Sequence, residues 1–450
     1  MSTITTSGTS DAGAGTAGGD NLADLDESGI TAEHWKIMFI SGMGFFTDAY
    51  DLFIIGVAMH LIKEQWHTSP LSEGLVTSTA LLASAVGALL FGRVADMLGR
   101  KRIYGFEVLV LAAGAIASAF SPDIWWLIGF RVILGIGIGG DYPVSSTIMS
   151  EFSGKQHRGM MVSLVFAMQA AGLIVGPLLA ALLLAIGLDH DIVWRVLLAF
   201  GAVPALAVFQ MRRRLAETPR FQLAARQMTA KISFTEGFRR LLTRRDLRVR
   251  LLGASLAWFL MDFAYYGNTV SSPMVLNAIA PHSDLMHQTL TQLGVFAVAA
   301  VPGYFVAAAM MDRIGRKPIQ VFGFLMMALS FLAMALIPGI EHLIYPFLIV
   351  YGISYFFTEF GPNATTFIYP AELFPVEGRT TGHGIASAAG KIGGFIGVFT
   401  FPPLMAWHGL FSAESGAAIA SVLGLLATVT MLPETKGRSL EELSEVPASG

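Results

Sequence analysis

Apolar runs long enough to cross a bilayer recur along this chain with only short polar breaks, and that recurrence leaves few folds open. A helix rises about 1.5 Å per residue, so about 20 residues cross the hydrocarbon core. Such runs lie near 35–62, 71–95, 103–121, 124–151, 159–187, 193–213, 249–279, 287–312, 318–338, 342–371, 381–408 and 412–432. They predict an all-α membrane protein with twelve transmembrane helices. A β-barrel would show alternating strands of about ten residues instead. Composition agrees: 54% of the 450 residues are hydrophobic and 14% charged. Mean hydropathy is +0.61. One or two soluble cores could not hide that much apolar surface. Cysteine is absent, which excludes disulfides, thiolate metal sites and Cys nucleophiles. No H-E-x-x-H, G-x-S-x-G or Walker pattern occurs, so no metal, cofactor, enzymatic activity or ATP-driven step is expected. Nucleic acid is not an expected partner; the lipid bilayer is.

The longest polar break, Leu215–Arg248, divides the runs six and six. Of the 29 Lys and Arg, all but Lys36, Lys63, Arg131, Arg195 and Lys391 fall in every second loop, in the central break or in the last residues. The positive-inside rule then places both termini and the central loop in the cytoplasm. The expected units are a disordered cytoplasmic tail over 1–34, helical bundles over 35–213 and 249–433, a cytoplasmic loop over 214–248 and a second tail over 434–450. The 1–34 stretch has no apolar run and reads as neither signal peptide nor span. The halves also repeat. GRVADMLGRKR at 92–102 returns as MDRIGRKP at 311–318, LAETPR at 215–220 returns as LPETKG at 432–437, and the Glu151/Arg158 spacing of seven recurs in Glu372/Arg379. Offsets of 216 to 221 link the pairs, as in a parallel duplication with a substrate site between the two copies.

With both loop motifs and both Glu-Thr elements in place, residues 35–443 resemble the major facilitator superfamily. The resemblance implies two six-helix bundles that rock for alternating access. Asp96, Arg100, Asp312 and Arg316 are expected to form a cytoplasmic gate.

Charged groups at membrane depth cost about 2.5–3.5 kcal/mol each, so those present are functional candidates. They are Asp48, Asp51, Arg131, Asp141, Asp262, Glu359 and Lys391, with Glu107 nearer an interface. Two cations cannot neutralise five carboxylates, and burial favours the protonated form of a carboxyl group. Proton coupling is the natural reading. Asp48 and Asp51 share a helix face. Gly135, Gly137 and Gly140 spell G-x-G-x-x-G, but no strand precedes them, so close helix packing is expected rather than a dinucleotide site. Pro143 is expected to kink its helix beside Asp141 and Tyr142. Trp258, Asp262 and Tyr266 are spaced by four and line one face. Pro362 breaks its helix beside Asn363, and Lys391 lies among small residues.

GGDYPVSSTIMSEF, the W-x-x-x-D-x-x-x-Y of the seventh run, FGPNATTF and HGIASAAGKIGG together resemble the phosphate:H⁺ symporters of that superfamily. The resemblance implies a phosphate site of Tyr142, Gln169, Trp258, Asp262, Tyr266, Asn363 and Lys391. It also implies a proton route of Asp48, Asp51 and Asp141 with Arg131 nearby. A short central loop and 21 Arg against 8 Lys point to a bacterial-type member. The chemistry is consistent, since phosphate wants a cation and several donors. Phosphate and protons are the expected partners, with a monomer in the cell membrane as the functional unit. Other readings stay open: a proton-coupled symporter of a small organic acid anion, to which the D-x-x-D of the first run also fits, and, with less in their favour, a cation exporter or a nutrient sensor.

Overall fold

The structure, a computed structural model, describes residues 17–227, 234–281 and 285–445. The rest of both expected tails, 228–233 of the central loop and 282–284 lie outside the described residues. Within them there is no strand. The spans are α1 (Ala32–Trp66), α2 (Pro70–Leu98), α3 (Arg100–Ala119, interrupted at 104–105), α4 (Ile124–Phe152), α5 (Arg158–Ala185), α6 (His190–Arg214), α7 (Arg245–Val270), α8 (Met286–Ile314), α9 (Arg316–Leu336) and α10 (344–373). One helical trace, Arg379–Met431, follows. Its 53 residues leave helical geometry at His408 and Gly409, so it is two antiparallel spans, α11 (379–407) and α12 (410–431). The φ of +60° at Gly409 is one that a side chain resists.

Spans α1 to α6 and α7 to α12 make two six-helix bundles. The seams between them are α2 against α11 and α5 against α8, which correspond under the sequence repeat. Glycines set how close the first seam comes. A Cβ on Gly92 would lie 2.6 Å from the Thr380 carbonyl oxygen, and one on Gly384 would lie 2.3 Å from that of Ala88. The α4 glycines read from sequence pack closely: Gly135 and Gly137 press on the backbones of Ala80 and Leu111, and Gly140 on the Phe91 ring; Gly139, outside that motif, presses on the Ser84 backbone. Small residues let membrane helices approach this closely.

Three expectations meet the structure in different ways. α4 stays helical past Pro143, where Ser146 Oγ donates to the Tyr142 carbonyl at 2.9 Å, so no break marks that position. α10 does break as expected, through a π-turn at Glu359–Asn363 with Gly361 outside helical geometry. Part of the N-terminal segment read as disordered is a helix, Ala17–Glu27. It docks through an ion pair of Asp26 with Arg220 at 2.5 Å.

Candidate functional site

Lys391 sits at the centre of the bundle seam, 1% exposed. The glycines flanking it explain how a long cationic side chain fits. Gly390 and Gly394 pack on the rings of Trp258 and Tyr266, and Gly393 on the Phe259 carbonyl, so α11 lies tight on α7. Lys391 Nζ then reaches Asp262 Oδ2 at 3.3 Å and the Tyr266 hydroxyl at 3.1 Å. It also lies 4.1 Å above the centre of the Tyr142 ring from the other bundle, a favourable cation–π position. Gln169 donates to the Tyr142 hydroxyl at 3.1 Å, and the Tyr304 hydroxyl donates to Gln169 Oε1 at 3.1 Å. Trp258 packs beside Tyr142, centroids 6.1 Å apart. Asn363 joins through Tyr304 at 3.4 Å, and donates to Glu359 Oε2 at 2.5 Å. All seven residues of the expected phosphate site thus form one buried network drawn from both bundles. The sequence reading missed its connector, Tyr304, because a tyrosine in an apolar run carries no signal of its own. A cation with amide, indole and phenol donors around it suits a small tetrahedral oxyanion.

The expected proton-route residues do not gather at one point. Asp141 makes a two-pronged pair with Arg212, at 2.7 and 3.0 Å, and Arg212 also reaches Glu107 at 3.0 Å. Ser145 donates to Asp141 at 2.5 Å. Arg131 lies beside Asp51 but donates to backbone oxygens, of Val76 at 2.9 Å and of Asp51 at 3.5 Å. Asp48 is fully buried, and neither carboxylate oxygen has a hydrogen-bond partner. Its charged neighbours are Asp141, Arg212, Asp51 and Lys391, so it stands between the Arg212 cluster and the central site. Arg212 was missed because it opens an Arg-Arg-Arg run that reads as loop charge.

The four expected gate residues meet at the end of the bundles that carries the repeated loops. Asp96 accepts from the backbone N–H groups of Thr380 and Thr381 at 3.3 and 2.7 Å, capping the start of α11. Asp312 accepts from those of Gly159 and Met160 at 3.1 and 2.7 Å, capping the start of α5. A carboxylate there complements the helix dipole. Arg100 pairs with Asp96 at 3.2 Å and Glu151 at 3.0 Å; Arg316 pairs with Asp312 at 2.8 Å and Glu372 at 2.7 Å. Glu151 also holds Arg379 at 3.0 Å, and Glu372 holds Arg158 at 2.8 Å. Every cap, and both of the last two pairs, joins one bundle to the other. Thr218 and Thr435 each donate to the matching glutamate at 2.5 Å. Past the spans, Arg220 extends the cluster to Glu441 at 3.0 Å. Burial disfavours the Glu441 charge, but Arg220 and Arg379 outweigh that and hold its carboxyl below the ordinary value. This contact therefore stabilises the fold at neutral pH and fades as pH falls through the lowered value.

At the opposite end, a cavity of about 380 Å³ opens between the bundles, lined among others by Gly56, His60, Lys63, Thr77, Ser271 and Pro402. One end of the seam is bolted and the other is hollow.

Two six-helix bundles with a buried charged site on their seam define a two-bundle membrane transporter. The pattern of the Major Facilitator Superfamily matches residues 41–398. Inorganic phosphate transporter 1-11 of Oryza sativa subsp. japonica is 35% identical over 95% of this chain and 91% of its own. Probable inorganic phosphate transporter 1-6 of Arabidopsis thaliana is 36% identical, over 95% and 96%. Among solved structures, the proton:xylose symporter XylE bound to 6-bromo-6-deoxy-D-glucose superposes with a TM-score of 0.76 at 19% identity, over 91% of this chain and 98% of that one. Its E. coli inward-open form gives 0.66 at 21% identity, over 91% and 99%. The chain belongs to the Major Facilitator Superfamily and, within it, to the inorganic phosphate transporters.

Proposed function

We propose that the protein imports inorganic phosphate together with protons by alternating access, and is a carrier and not an enzyme. The bundles over 35–213 and 249–433 rock about the central site. The end with the repeated loops faces the cytoplasm of a cell that holds the protein in its plasma membrane, as a monomer. The observation that carries this reading is the Lys391 cluster, a buried cation shared by donors from both bundles, in a chain whose relatives are named inorganic phosphate transporters.

Asp262 occupies Lys391 in the structure. An incoming anion meets that carboxylate and is repelled unless a proton is shared at the site. Binding phosphate and binding a proton therefore favour each other, and by linkage the favour is mutual. Each net positive charge carried inward gains about 2.3 kcal/mol per 100 mV of inward-directed potential.

Uptake of labelled phosphate into proteoliposomes tests the proposal. Accumulation should need an inward acid gradient and collapse when that gradient is dissipated. Uptake that ignores the gradient would sink the coupling. Competition by carboxylates and not by unlabelled phosphate would instead favour a small organic acid as the substrate.

A further inference from the structure

The proton-route residues of α1 and α4 leave two buried carboxylates of the other bundle unused, Glu359 and Glu414. Glu359 is 0% exposed and lies in the π-turn that breaks α10, four residues before Asn363. Single π-turns inside helices are rare and occur frequently at functional sites. Its position is forced from behind: a Cβ on Gly303 of α8 would lie 3.0 Å from Glu359 Cβ. The groups that face it are Tyr304 from α8, Tyr265 and Asp262 from α7, and Asn363 and Tyr355 from its own helix. All are neutral or acidic. No ion pair to Glu359 exists among the described residues, and Oε1 accepts no hydrogen bond of ordinary geometry. A lone carboxylate in such surroundings is costly.

A short contact ties it to a residue of the anion site. Asn363 Nδ2 donates to Glu359 Oε2 at 2.5 Å and reaches Tyr304 only at 3.4 Å. An ionised Glu359 holds that amide for itself and adds negative charge beside a site meant for an anion. A protonated Glu359 no longer needs the amide, which is then free to donate to phosphate. We propose that Glu359 is a second proton-binding group of the transport cycle, carried by the C-terminal bundle and linked to the anion site through the Asn363 amide. The inference rests on the phosphate:proton reading above. It adds a proton acceptor that titrates with anion occupancy and sits at the break of the helix that also carries Glu372 of the far ion-pair cluster.

Calorimetric titration of the purified full chain with inorganic phosphate, in two buffers of different ionisation heat, counts protons taken up per phosphate bound. Wild type should take up protons, and Glu359→Gln should bind phosphate while taking up fewer, by up to about one. Equal proton uptake in Glu359→Gln and wild type overturns the proposal. Should that variant not fold, Asn363→Ala carries the test. It cuts the link and should lower proton uptake by a similar amount, and an unchanged count overturns the proposal equally. Absence of phosphate binding in wild type would instead strike the transport reading itself. Glu414, buried in α12 with Asn268 at 3.4 Å, is the control: Glu414→Gln should leave the count unchanged.

Discussion

Lys391 and Arg212 are both buried cations paired to aspartates, yet they do different work. Lys391 has one ion pair at 3.3 Å and otherwise phenol and ring partners, so an anion can exchange with Asp262. Arg212 is clamped by two carboxylates and a hydroxyphenyl face, with Asp141, Glu107 and Tyr104 around it. Lys391→Ala should weaken phosphate binding about 10- to 100-fold, since a charge-assisted hydrogen bond is worth about 1.5–3 kcal/mol; equilibrium binding measures it, and an affinity unchanged from wild type would remove Lys391 from the site. Arg212→Ala strands two buried carboxylates and should cost about 3–5 kcal/mol of stability, read as thermal unfolding in detergent. Arg212→Lys should recover only part of that, because an ammonium cannot make the two-pronged contact. Wild-type stability in Arg212→Ala would show that the clamp carries no structural weight. Lys391 stood out in the sequence because nothing else around it is charged. Arg212 did not, because three consecutive arginines at a helix end look alike until the fold decides which one turns inward.

The spans themselves were legible because apolar length is a one-dimensional property. Breaks within them were legible only where the residue type forces one. Pro362 marks the turn in α10, and Gly409 permits the reversal between α11 and α12. The interruption of α5 at Met168 has no such residue. It coincides with Gln169, which is held by Tyr142 and Tyr304, partners that lie far away in sequence. The glycines of α4 show the reverse case, in which a motif suggesting a ligand loop is a packing surface. The same packing extends to Gly139, between the last two glycines of the motif: a Cβ there would run into the Ser84 carbonyl oxygen, and a backbone atom cannot swing aside. Gly139→Val should therefore push α4 off α2 and lose at least about 1–3 kcal/mol, seen as a lower unfolding temperature in detergent. An unchanged temperature would mean that the two helices slide freely, against the close packing described.

At the scale of the whole molecule, the sequence repeat predicts which residues correspond but not which ones touch. Asp96 and Asp312 are equivalent by offset, and nothing in the offset says that each caps a helix of the opposite bundle. That follows from the twofold relation of the seams, α2 with α11 and α5 with α8. The consequence is a lock built twice. Glu151 with Arg379 and Glu372 with Arg158 are separate, mirrored bolts, so removing one weakens closure without abolishing it. Breaking a buried pair costs about 3–5 kcal/mol, and each 1.4 kcal/mol or so shifts a two-state balance about tenfold. Glu372→Gln should thus move the balance toward opening at this end by about 100-fold or more, while the Glu151 bolt persists. The cysteine-free sequence lets spin labels report it without background. With labels at Lys101→Cys and Arg313→Cys, one on each bundle, Glu372→Gln should add a longer distance population absent from the parent. Adding Glu151→Gln should make that population dominant. If the single change already gives the full shift, the bolts are not independent. If neither change lengthens the distance, the ion-pair cluster does not hold this end shut, and closure must come from the glycine-packed seam of α2 and α11 instead.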